Sequence, residues 1–77
     1  MLLNDLKIGQ LAKIKELPVN SASYMTLLSL GILPGDQLEV TGKAIFGGPI
    51  TFKHSNNTFF ALRRKQAKQI QVQPLRH

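Results

Sequence analysis

Residues 50–63 read Ile50-Thr51-Phe52-Lys53-His54-Ser55-Asn56-Asn57-Thr58-Phe59-Phe60-Ala61-Leu62-Arg63. Ile50 and Phe52 alternate with Thr51 and Lys53. Phe60 and Leu62 alternate with Phe59, Ala61 and Arg63. A period of two, with one apolar face, marks a half-buried strand. Between the runs, Ser55-Asn56-Asn57 supplies residues that tolerate positive φ, so the two strands are expected to pair as a hairpin.

The same period extends outward. In residues 37–46, Leu38 and Val40 oppose Glu39 and Thr41, and Gly42 marks a bulge or bend. In residues 10–17, Ala12 and Ile14 oppose Lys13 and Lys15. A last short run covers residues 70–73, and Pro74 is expected to end ladder pairing. Gly47-Gly48-Pro49 reads as a hinge. Leu33-Pro34-Gly35-Asp36 reads as a type II turn whose Asp36 side chain bonds to the backbone. One helix fits between the first two strands. Ser21 or Ser23 caps it, and Tyr24, Leu27 and Leu28 share a face. Gly31 stops it, with Ile32 placed for the apolar contact of a Schellman ending. A second helical turn over residues 64–69 would bury Ala67. The fold class is therefore mainly β: a small barrel of short strands with one short helix inserted after the first strand. The expected core includes Leu6, Ile8, Ala12, Ile14, Leu27, Leu28, Leu38, Val40, Ile50, Phe52, Phe60, Leu62, Ile70 and Val72. Phe60→Ala is expected to cost roughly 3–5 kcal/mol.

Composition bounds the function. The chain has 77 residues, 43% of them hydrophobic. That is one globular domain, residues 1–77, rather than a disordered chain. It has no cysteine, so disulfides and thiolate metal sites are excluded. Ten Lys and Arg against four Asp and Glu give a net charge of +6, which favours anionic partners. No secretory signal or membrane-spanning run is present, so a cytoplasmic protein without membrane insertion is expected.

Chemistry is sparse. Asp5, Glu16, Asp36 and Glu39 are spread so that no two share a strand face or helix turn, and a paired acid–base site is unsupported. No serine sits in a G-x-S-x-G context. His54 and His77 are the only imidazoles and no ligand spacing accompanies them. Gly47-Gly48-Pro49 lacks the Lys-Ser/Thr ending of a phosphate loop. The expectation is no enzyme, no catalytic residue, no metal site and no cofactor. Two basic clusters remain: Arg63, Arg64 and Lys65 with Lys68, and Lys13 with Lys15. Each reads either as a solvated face or as an anion-facing patch. Few aromatics are left to stack on bases, so nucleic acid is the weaker partner class.

Taken in order, four segments resemble the FeoA family of bacterial ferrous iron transport. They are Leu6-Lys7-Ile8-Gly9-Gln10 with Ala12 and Ile14; Leu27 to Asp36; Phe46-Gly47-Gly48-Pro49-Ile50; and Phe60-Ala61-Leu62-Arg63 with Ala67, Ile70 and Val72. The resemblance covers about residues 5–73. It implies an SH3-like β-barrel and a soluble accessory role beside the membrane ferrous iron transporter FeoB, which carries a cytosolic GTP-binding domain. Similar modules end iron-dependent repressors. The initiator Met and the lack of a DNA-binding region favour the transport role. The family often has Arg just before the paired leucines, where this chain has Met25 and Thr26, so that anion contact is not carried over. Arg63, Arg64 and Lys65 are the residues that would partly replace it, and an arginine-finger role for Arg63 or Arg64 is a further expectation.

The resemblance suggests a module that binds partners in a shallow apolar groove. Ile45, Phe46, Pro49 and Phe59 have no evident place in the core. With Leu30 and Ile32 as secondary candidates, they are expected to line a patch for the transporter or for self-association. The alternatives are a basic nucleic-acid-binding module and weak transition-metal binding or sensing.

Overall fold

Alternation becomes burial along β1 (Leu11–Glu16): Ala12 and Ile14 are in the core, while Lys13 and Lys15 face solvent. The computed structural model describes residues 1–54 and 57–75. A short 3-10 turn (Leu3–Asp5) precedes β1. After it come α1 (Ser23–Ser29), β2 (Gln37–Lys43), β3 (Ile50–His54), β4 (Phe59–Leu62), α2 (Arg64–Ala67) and β5 (Gln71–Pro74). All strand pairs are antiparallel, in the order β4-β3-β2-β1-β5.

The sheet is SH3-like but does not close into a barrel, because its outer edge at β5 is already occupied. Leu3 N–H donates to Ile70 O at 2.9 Å and Val72 N–H to Met1 O at 2.8 Å, so the N-terminal residues cover the edge that closure needs. The same geometry corrects the expectation for Pro74. Val72 donates outward, so its second neighbour Pro74 places its missing donor on that outer side. Pairing with β1 therefore runs on to Leu75, whose N–H donates to Leu11 O at 2.9 Å.

The expected bulge lies in β2, where the register with β3 shifts between Val40 and Gly42. Thr41 is the residue skipped, and its Oγ1 donates to Thr51 O at 3.1 Å. Asn57 has φ +65, as the hairpin reading requires; Ser55 and Asn56 lie outside the described residues. In the turn before β2, Gly35 has φ +93 and Asp36 N–H donates to Leu33 O, as a type II turn demands.

At its start α1 is held by Ser21, whose Oγ accepts Ser23 N–H at 3.1 Å and donates to Gln69 Oε1 at 2.8 Å. At its end Gly31 has φ +80. Gly31 N–H donates to Leu28 O and Ile32 N–H to Leu27 O, the bond pair of a Schellman ending.

Phe52 sits in the core, fully buried, with Leu27, Leu38, Val40, Ile50, Leu62, Ile70 and Val72. Leu28 and Phe60 pack only partly against it. Ile8 leaves the expected core: it is 61% exposed on a tight turn ending at Gly9, φ +88. That turn reverses the chain between buried Leu6 and β1, so the period of two fails there. Leu3, Leu17 and Ile32 are buried in addition to the expected set.

Candidate docking loop and its basic flank

The link between β2 and β3 is built from strained and unstrained turn residues in succession. Phe46 has φ +58 and Gly47 φ +75. Positive φ at both central residues is the sign pattern of a type I′ turn, and Gly48 N–H donates to Ile45 O across it at 3.3 Å. Glycine adopts this conformation freely, whereas an L side chain there costs roughly 1–2 kcal/mol. A Cβ on Gly48 would lie 2.6 Å from Ala44 Cβ, so only glycine lets the two legs approach. At the base, Ala44 N–H donates to Pro49 O at 3.0 Å. The side chain at the vertex points outward: Phe46 is 99% exposed, and Ile45 beside it is 77% exposed.

Arg64 holds this loop from the side. Its Nε donates to Gly48 O at 3.1 Å and its Nη2 to Ala44 O at 3.0 Å. The reach follows from register. Lys43 pairs with Ile50, and Ile50 with Leu62, so the loop and the start of α2 share one end of the sheet. Gln66 fixes that start by accepting Arg63 N–H on Oε1 at 3.1 Å. Arg63, Lys65 and Lys68 are exposed on the same short element. Arg64 itself is half-buried, its guanidinium committed to the two carbonyls.

The expected patch is only partly assembled. Ile45, Phe46 and Pro49 share the loop. Phe59 is exposed but pairs with Lys53, roughly 10 Å further along the sheet from the Ile50–Leu62 pair. Leu30 is half-exposed at the end of α1, and no backbone hydrogen bond among the described residues ties it to the loop. Ile32 is 1% exposed: the Schellman ending that places it also buries it, so it is not a surface residue. The Arg64 contacts were not anticipated from sequence. The available signal was a Gly-Pro loop whose carbonyls have no strand partner, followed by an arginine at a strand end.

A second polar constellation lies at the other end of β3. His54 Nε2 meets Asp36 Oδ2 at 2.8 Å, and the same oxygen accepts Leu33 N–H at 3.0 Å. Phe60 stacks on Phe52 at 5.5 Å and meets the His54 ring edge-on at 6.2 Å. A shallow hollow of about 180 Å³ opens beside His54, with Glu39 and Lys53 in its lining. Among the described residues of the lining none carries a hydroxyl or thiol that an imidazole could activate. Among the described residues no three His, Cys, Asp or Glu side chains gather at one point. No helix among them is long and apolar enough to cross a membrane.

Several known proteins are similar. The FeoA-like protein of Clostridium acetobutylicum superposes with a TM-score of 0.90 at 27% identity, over 100% of this chain and 88% of that one. The FeoA protein of Chlorobium tepidum does so with a TM-score of 0.86 at 30% identity, over 99% of this chain and 71% of that one. The FeoA of Stenotrophomonas maltophilia, a prokaryotic SH3 domain protein solved with zinc, gives a TM-score of 0.74 at 28% identity, covering 95% and 89% of the two chains. Comparison with curated proteins gives no significant match. The FeoA domain model matches residues 1–74, and with an SH3-like sheet throughout that span, this chain belongs to the FeoA domain family, which is associated with ferrous iron transport.

Proposed function

We propose that the chain is a cytoplasmic accessory of bacterial ferrous iron uptake that works by docking on the membrane transporter FeoB. In this reading the ferrous ion is the transporter's cargo. Docking runs through the loop that carries Ile45, Phe46 and Pro49. The observation that carries this reading is Phe46: a fully exposed aromatic held in a strained backbone conformation, with no packing role in its own fold. Strain of this kind persists where function uses it. Any modulation of the transporter's GTP-binding domain falls to Arg63, since the Arg64 guanidinium is engaged with Gly48 and Ala44.

The test is co-purification with the membrane transporter, with and without nucleotide, beside an iron-uptake assay. Phe46→Asp is expected to abolish both association and transporter-dependent uptake while the protein stays folded. Normal uptake in that variant removes the loop from the mechanism.

A further inference from the structure

We infer that Arg64 preforms the Ile45–Phe46 tip as a rigid knob, and that the surface receiving it is an apolar hollow rimmed by carboxylates. The inference rests on the docking reading and specifies the chemistry of the partner.

The shape comes first. An aromatic ring that is 99% exposed at the vertex of a turn cannot be the wall of a groove on its own molecule. The hollow beside His54 and the shallow one near Gln10 include no residue of the loop. This chain therefore offers the convex part, reversing the groove that the family resemblance suggested, and the partner supplies the concave one. An apolar ring and an Ile side chain gain most from a site that removes both from water.

Rigidity comes next. The two carbonyls that Arg64 binds stand on opposite legs of the loop, Ala44 on the way out and Gly48 on the way back. A planar guanidinium can span both, whereas an ammonium acts as a single point charge. With Arg64 in place the legs are locked and Phe46 is held in its strained conformation before any partner arrives. Ordering that has already been done does not weaken binding.

Charge sets the rim. Arg63 and Lys65 flank Arg64, and Lys43 ends β2 at the same end of the sheet. Lys43 Nζ donates to Asn4 O at 3.2 Å, which brings Asp5 towards this end; Asp5 is turned onto Leu2 N–H at 3.3 Å. Asp36 is held by His54 at the opposite end. The surroundings of the knob are thus basic, and carboxylates on the partner complement them.

The experiment measures affinity for FeoB in detergent micelles at two salt concentrations, with amide hydrogen exchange on the free protein. Arg64→Lys keeps the charge and loses the fork. It is expected to speed exchange at Ala44 and Gly48 and to weaken binding roughly tenfold. Arg63→Glu, at an exposed position, is expected to leave loop exchange unchanged, weaken binding and flatten its salt dependence. Unchanged exchange or unchanged affinity in Arg64→Lys overturns the preformed knob. Undiminished affinity in Arg63→Glu overturns the acidic rim. A wild-type protein that does not bind overturns the docking reading itself, and this inference with it.

Discussion

Replacing Phe46 by glycine separates what the loop does for the fold from what it does for a partner. In the free protein the ring is 99% exposed, so its removal takes no apolar area out of the core. The residue has φ +58. Relieving an L side chain of that conformation returns roughly 1–2 kcal/mol. Glycine loosens the unfolded chain, which takes back about 0.4–1 kcal/mol. The folded state should therefore end between about 0 and 1.6 kcal/mol more stable, a rise of up to roughly 13 °C in Tm. Docking should move the other way. A phenylalanine buried in a hollow contributes about 1.5–3 kcal/mol, so the variant should bind the transporter roughly 10- to 150-fold more weakly. Urea unfolding and a binding titration on the same preparation give both numbers. A stability loss above about 1 kcal/mol would mean that the ring packs against its own molecule. Affinity within about twofold of wild type would refute the reasoning on function.

Two further substitutions test the fold. Phe52→Ala empties the fully buried centre of the core and should cost about 3–5 kcal/mol in urea unfolding; Phe60→Ala, at a half-buried position, should cost clearly less, against the sequence-based expectation. Asp36→Ala removes the acceptor shared by Leu33 N–H and His54 and should lower stability by about 1–3 kcal/mol, whereas a change below about 0.5 kcal/mol would mark that contact as an inert surface pair.

The comparison of Phe60 with Phe52 shows where reading the sequence stops. Both alternate correctly, and both ring faces point inward. Alternation reports which face of a strand a residue occupies. It does not report whether the strand is central, and β4 is an edge while β3 has neighbours on both sides. Ile8 failed for a related reason: the run from Leu6 to Gln10 bends at Gly9, and a bent segment has no constant face. The Arg64 staple and the Asp36–His54 contact join residues 16 to 20 and 18 positions apart, distances at which no local pattern carries information.

What the sequence determined by itself was local. It set the strand alternation, the bulge at Gly42, the turn at Pro34-Gly35 and the Gly31–Ile32 helix ending, because each depends on backbone preferences within a few residues. Tertiary structure alone decided the rest: that the N-terminal residues line the outer edge of β5 and keep the sheet open, that Phe59 lies far from Phe46, and that Arg64 binds the loop. Those outcomes depend on strand register, and register is settled only when distant segments compete to bury the same apolar faces.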